Sequence, residues 1–174
     1  VEIIEPEEGE LASGLSGKGR MEEPEIILSR VEKALCGEQS LKGRRYLVTA
    51  GPTYENIDPV RFIGNHSTGK MGFAIARALS EAGARVTLVA GPVSLPTPDG
   101  DIGRIDVRSA VQMLEACIAA FPSCDGAVCC AAVADYAPSV CADHKIKRDK
   151  AEEMTLTLRR NPDIAAALGR MKKP

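Results

Sequence analysis

A chain of 174 residues, 44% hydrophobic and 26% charged, has the length for one domain with a core plus an appendage. Its net charge of −2 argues against a broad electrostatic footprint for nucleic acid, and three Phe, three Tyr and no Trp leave little to stack on single strands. No stretch approaches the ~20 apolar residues of a membrane helix, so neither nucleic acid nor membrane is an expected partner.

Residues 1–21 are glycine-rich and acidic and carry no sustained period. Pro24 then opens a predicted helix over 24–35, with Ile26, Ile27, Val31, Ala34 and Leu35 as its apolar stripe. Residues 36–44 read as a polar linker, and a domain boundary is expected there. The chain starts at Val1-Glu2 and stops at Lys172-Lys173-Pro174, just after a predicted helix, so it reads as a fragment of a longer protein.

From Arg45 onward strands and helices alternate. Residues 46–50 form a buried strand. Met71, Ala74, Ile75, Ala78, Leu79 and Ala82 repeat at helical spacing and stop at Gly83. A second strand covers 85–90 and a short third covers 103–107. Ser109 caps a helix whose apolar face is Ala110, Met113, Leu114, Cys117, Ile118 and Phe121. Residues 127–132 (AVCCAA) form a wholly apolar fourth strand, as expected in the middle of a parallel sheet. A fifth is expected over 154–158, and Asn161-Pro162 starts a last helix. The order predicts an α/β fold, a doubly wound, mostly parallel Rossmann-like sheet.

Ligands of such sheets bind beyond the carboxyl ends of the strands. Attention therefore falls on residues 51–68, 91–101, 133–147 and 161–165, loops long enough to imply a function. The first of them contains Gly64-Asn65-His66-Ser67-Thr68-Gly69-Lys70-Met71-Gly72, which has the glycine and lysine spacing of a Walker A loop. Met71 stands where that loop needs a hydroxyl for Mg²⁺, and Asp58-Pro59 upstream is a turn rather than a strand. What remains is a turn that opens a helix and suits an anion. A dinucleotide site is disfavoured as well: no G-x-G-x-x-G follows the first strand, and the second ends in Ala90-Gly91 without an acid for a ribose.

Several side chains admit two roles. Arg61 either clamps a phosphate or carboxylate or pairs with Asp58; Asn65 either bonds a reacting carbonyl or caps the helix. His66 reads as a partly exposed turn residue, and Lys70 as either a solvated lysine or an anion contact. Asp135, at the end of the fourth strand, either binds a metal or a sugar hydroxyl or caps a turn. Lys145 and Lys147 alternate around Ile146, so only one of the two lysines is expected to point inward. The six cysteines form no C-x-x-C pair and there are two histidines, so zinc spacing is absent. Reduced thiols in a cytoplasmic protein are the economical reading.

The ordered blocks GPTYENIDPVRFIGNHSTGKMG, GPVSLPTP, AAVADYAP, KIKR and NPDI resemble the bacterial phosphopantothenate–cysteine ligase of coenzyme A biosynthesis, from about Arg45 to the end. Upstream, GELASGLSGKGRMEEPE is similar to the close of the flavin-dependent phosphopantothenoylcysteine decarboxylase, which in bacteria precedes the ligase in one bifunctional protein. The resemblance implies a decarboxylase tail over 1–24, a linker helix and linker over 25–44, and a C-terminally truncated ligase domain over 45–174. It implies CTP as co-substrate with Mg²⁺, an acyl-cytidylate of 4′-phosphopantothenate, its capture by cysteine, and FMN in the decarboxylase. By position, Lys145 would stabilise the triphosphate and Asp135 would help to hold the nucleotide or its Mg²⁺. Pro162, Asp163, Ile164 and Ala165 would line the nucleotide site, and Asn65, supported by Arg61, would act on the acyl-cytidylate. A ligase-domain homodimer is implied, with the Asn65 loop completing a site with its neighbour, and a higher homo-oligomer in the bifunctional protein. Two departures stand out. Ser13 replaces the decarboxylase's proton-donor cysteine, and the family continues past the NPDI helix with further nucleotide contacts. The competing readings are a nicotinamide-dependent oxidoreductase and a catalytically silent binding or assembly module.

Overall fold

The computed structural model describes residues 3–10, 14–36, 39–147 and 153–172. Ser13, and Arg148, Asp149 and Lys150 of the basic run, lie outside the described residues. The chain divides into two compact units, 1–40 and 41–174.

The first unit is an antiparallel ribbon, β1 (Glu7–Glu10) with β2 (Ser16–Arg20), followed by helix α1 (Pro24–Cys36). The ribbon was not legible in the sequence because Gly, Ser and charged residues give it no apolar alternation. The helix starts at Pro24 as expected, since proline's fixed φ suits a first turn.

The second unit is built on four parallel strands. They are β3 (Arg45–Ala50), β6 (Arg85–Ala90), β7 (Ile102–Asp106) and β8 (Gly126–Cys129), in the order β7-β6-β3-β8. Between β3 and β6 come a hairpin, β4 (Tyr54–Asn56) with β5 (Phe62–Gly64), and helix α2 (Lys70–Glu81). Helix α3 (Ala110–Ala120) leads into β8; a second ribbon, β9 (Tyr136–Pro138) with β10 (Leu158–Arg160), precedes helix α4 (Ile164–Met171).

Alternating side chains of the central strands feed two separate cores. Val48, Ala50, Val86, Leu88 and Ala90 pack with Phe73 and Ala76 of α2. Leu47 and Val89 point the other way and pack with Met113 and Cys117 of α3 and Ile164 and Leu168 of α4. Helices on both faces of one parallel sheet make the doubly wound arrangement that the strand–helix order predicted. Ser109 caps α3 as expected, and its hydroxyl accepts from Gln112 N in a reciprocal capping box.

Five expectations are corrected. Among the described residues, β8 pairs with β3 alone and lies at the sheet edge, not in its middle. The apolar character of 127–132 serves instead to pass the chain beside α3 and α4: Ala131 and Val133 pack into that core. The strand expected over 154–158 is Leu158–Arg160, antiparallel to β9 and outside the main sheet. The buried face of α2 is rotated from the expected stripe, to Gly72, Phe73 and Ala76, and Met71 is 71% exposed. Gly72 sets that rotation, because its backbone seats on β3: a Cβ there would meet Ala50 Cβ at 2.5 Å. The last helix is capped by Asp163, whose Oδ1 accepts from Ala166 N, so it begins after Asn161-Pro162. The loop 51–68 contains the β4–β5 hairpin, whose strands of three residues are too short to show a period.

Candidate active site

Strand β3 has β6 on one side and β8 on the other, and the helices that follow β3 and precede β8 lie on opposite faces. The crevice beyond the carboxyl ends of β3 and β8 is therefore the topological switch point, where open α/β sheets bind ligands. A cavity of about 300 Å³ occupies it.

Hydroxyls beside it, of which Thr49 lines the cavity, bend the chain away from the sheet. Thr49, 3% exposed near the end of β3, accepts from Cys130 N (3.1 Å) and Ala131 N (3.2 Å) through Oγ1, and so ends the pairing of β8. Thr53 Oγ1 accepts from Ala134 N at 2.9 Å. Asn161 fastens the far wall: its Nδ2 donates to Ala134 O and its backbone N to Asp135 O, both at 2.8 Å. Each bond satisfies a backbone group that the bend takes out of the ladder.

Five of the expected residues meet in this cavity: Asp135, Pro162, Asp163, Ile164 and Ala165 all line it. Asp135 is exposed and its carboxylate makes no bond to a described residue, so it caps no turn. Around it the walls offer the small residues Ala131 and Ala134, the thiol of Cys129 and the start of α4. First-turn N–H groups of a helix lack intrahelical partners and suit an anion. The ionisable walls are two carboxylates, Asp135 and Asp163, against one guanidinium, Arg160. A polyphosphate bound here requires cations from elsewhere.

The other expected residues stand outside the cavity. Asn65 reaches its rim: Nδ2 donates to Val133 O (3.0 Å) and Ala132 O (3.2 Å). It does not cap α2, because Gly69 occupies that position at φ +75°. Arg61 takes the paired alternative, with Nε on Asp58 Oδ2 at 3.0 Å. That guanidinium holds the Asp58 carboxyl far below the usual carboxylate range, outweighing the burial that opposes it. Lys145 and Lys147 are both exposed, contrary to the expected inward lysine; Ile146 between them is the partly buried residue, bound through its backbone to Asp58 and Arg61. His66 and Lys70 are exposed, and no group of three or more His, Cys, Asp or Glu positioned for a metal occurs among the described residues.

Thr49 and Arg160 were missed as site residues, and Asn161 was read only as the start of a helix in the expected segment 161–165. A hydroxyl at the end of an apolar strand was the available signal for Thr49. For Asn161 and Arg160 it was adjacency to Pro162. Asn161 also lines a neighbouring cavity of about 370 Å³, with Tyr54, Asn56, Arg108 and Arg159. Gly91, where a dinucleotide fold would carry its acid, has no room for a side chain: a Cβ would lie 1.7 Å from Pro52 O. No helix among the described residues is long and apolar enough to cross a membrane.

Comparison with known proteins agrees with this architecture. The chain is 50% identical over 173 residues to the coenzyme A biosynthesis bifunctional protein CoaBC of Bacillus subtilis, matching 98% of this chain and 42% of that protein. It is 55% identical over 175 residues to a cysteine/cysteine sulfinic acid decarboxylase of an unknown prokaryotic organism, matching 98% of this chain and 48% of that protein. The chain thus spans somewhat under half the length of these curated relatives. Among solved structures, the C-terminal domain of a coenzyme A biosynthesis bifunctional protein CoaBC superposes with a TM-score of 0.67 at 43% identity, covering 78% of this chain and 63% of that one. The DNA/pantothenate metabolism flavoprotein of Streptococcus pneumoniae superposes with a TM-score of 0.64 at 27% identity, covering 74% of this chain and 65% of that one. Residues 41–174, the whole of the second unit, match one family model, and the chain accordingly belongs to the DNA/pantothenate metabolism flavoprotein C-terminal domain family.

Proposed function

We propose that the second unit is the ligase domain of a cytoplasmic bifunctional enzyme of coenzyme A biosynthesis. It joins 4′-phosphopantothenate to L-cysteine at the expense of CTP. The substrate carboxylate attacks the α-phosphorus of CTP, the bond to the β-phosphate oxygen breaks, and pyrophosphate leaves. The amine of cysteine then attacks the acyl carbon, CMP departs, and an amide remains. The observation that carries this reading is the cavity at the switch point, lined by Asp135, Pro162, Asp163, Ile164 and Ala165. The resemblance assigns those five residues to the nucleotide.

The chemistry of the walls supports it. Small residues at Ala131 and Ala134 let a planar base approach backbone groups, and the start of α4 suits a phosphate. Mg²⁺ typically takes one or two carboxylates plus phosphate oxygens, and Asp135, with no competing partner among the described residues, fits that demand. The ion would offset charge on the triphosphate, as would Lys145. Asn65, at the cavity rim beside Val133, would act on the acyl-cytidylate in the second step, with Arg61 supporting the loop that carries it. The full-length protein would add FMN-dependent decarboxylation to 4′-phosphopantetheine. Among the described residues of the first unit, the three side chains of β2, Ser16, Lys18 and Arg20, are all exposed and offer no enclosed wall to a flavin ring. No decarboxylation step is assigned to these residues. A second copy of the chain is the proposed partner, within a larger homo-oligomer of the full-length protein.

The test is pyrophosphate release by the full-length protein with CTP, 4′-phosphopantothenate and cysteine, omitting one component at a time. Release that does not depend on phosphopantothenate would sink the reading. Asn65→Ala is expected to keep pyrophosphate formation and to lose the amide, and Lys145→Ala to lose both. If Asn65→Ala loses the first step, its assignment is wrong.

A further inference from the structure

A cavity with two carboxylates and one guanidinium needs added cations to hold a polyphosphate, yet Lys145 and Lys147 stand on an exposed segment outside it. What fixes that segment is a buried charge. The side chain of Asp58 is 0% exposed, and its two oxygens divide their work. Oδ1 accepts from Val60 N and Arg61 N, both at 2.8 Å, which closes the β4–β5 turn as an Asx turn. Oδ2 is not needed for that turn. It accepts from Arg61 Nε, from Arg61 Nη2 and, 88 residues along the chain, from Ile146 N at 3.1 Å. Arg61 Nη2 also donates to Ile146 O at 2.7 Å. One ion pair thus grips both backbone groups of the single residue that separates the two lysines. Four residues earlier, Ala142 N donates to Ile57 O at 2.9 Å, so the segment is tied to the same turn twice.

Burying a carboxylate is costly unless every lone pair is used, and a turn alone would be served by an exposed Asp or Asn. We infer that Asp58, acting with Arg61, is the positioning residue of the basic segment, clamping Ile146 so that Lys145 and Lys147 are presented together to the nucleotide phosphates. The inference rests on the nucleotide reading of the cavity. It makes Arg61 a brace for the segment. The same hairpin grips the chain a second time through Asn65 at Ala132 and Val133, so it holds the cavity rim and the basic segment in one frame.

The experiment compares the full-length protein with Asp58→Asn and Ile146→Pro. The first removes the buried charge. The second deletes the N–H that Oδ2 accepts, together with the Ile146 side chain, and leaves both members of the Asp58–Arg61 pair in place. Two readouts are taken: native-state tryptic cleavage after Lys147, followed by mass spectrometry, and steady-state kinetics against CTP. Both variants are expected to be cut about tenfold faster, because the local opening free energy of the segment falls. The KM for CTP is expected to rise about tenfold while kcat stays within about threefold. Unchanged cleavage in Ile146→Pro overturns the clamp. Faster cleavage with an unchanged KM overturns the positioning role. Should Asp58→Asn lose its thermal transition, Ile146→Pro decides alone. Should the wild type release no pyrophosphate from CTP, the ligase reading fails and the cleavage rates still decide the clamp.

Discussion

At the scale of single residues, the charges and thiols of the second unit have separate environments and separate tests. The Asp58 carboxyl is lowered first by the Arg61 side chain and further by the N–H groups of Val60, Arg61 and Ile146. A carboxyl depressed in the folded state stabilises the fold fully above its unfolded pKa of about 4 and loses that contribution as pH falls below it. The gap in thermal midpoint between wild type and Asp58→Asn should therefore be constant at neutral pH and narrow steadily in acid. A gap independent of pH would mean that the charge is not what Asp58 contributes. Asp125, lowered chiefly by Arg45 N and then by Arg44, adds to the same window but is half-exposed and screened. Among the thiols, Cys117 lies in the core, where burial pushes it up to about 12, so alkylation at pH 8 should await unfolding. Cys129 is also raised, by burial first and Asp163 second, but it lines the cavity. Bound CTP should slow its alkylation and leave the exposed Cys141 unaffected, as peptide mass spectrometry would show. Equal rates with and without CTP would put the nucleotide elsewhere.

At the scale of elements, the near-Walker stretch has structural reasons for its glycines. Gly64 ends β5, where a Cβ would lie 2.6 Å from the Tyr54 ring; Gly69 takes φ +75° to open α2; Gly72 seats α2 on Ala50. The spacing that resembles a phosphate loop is thus a hairpin end and a helix start in succession. Gly72→Ala should cost about 1–3 kcal/mol through overpacking, read as a lower thermal midpoint. Gly169→Ala in α4, where a Cβ meets nothing within 4 Å, should be neutral or gain up to about 1 kcal/mol. Equal effects would mean that contact with β3 is not what constrains position 72. The same elements show why parts of the fold escaped sequence reading. Helix α3 and strands β3 and β6 have periods long enough to see. Strands β4, β5, β9 and β10 have three residues each, and their pairing is set by turns and by buried side chains such as Asp58.

At the scale of the whole molecule, the two ribbons of the second unit carry exposed apolar side chains: Val60, Phe62, Tyr136, Val140 and Leu158. Val60 lies in the β4–β5 turn and Val140 just beyond β9, and under the proposed pairing with a second copy such exposed apolar side chains are candidates for the contact. Val60→Asp with Val140→Asp alters two of the most exposed of them and touches neither core, so the fold should persist while sedimentation shifts toward the monomer. A full-length protein that sediments alike with and without both changes would remove the ribbons from the interface. What the amino-acid sequence by itself determined is the order of the main-sheet strands and their helices from Arg45, the edge of the sheet that holds the cavity, and two of the stretches that line it, 133–135 and 161–165. These follow from apolar periods and from loops too long to be mere connections. Only the tertiary structure decided which side chains meet. It drew Asp135 and the start of α4 into one crevice, turned Arg61 toward Asp58, and tied Ile146 to a residue 88 positions away. Periodicity is a property of neighbours along the chain, whereas a cavity and a buried ion pair are set by which distant segments exchange their water for one another.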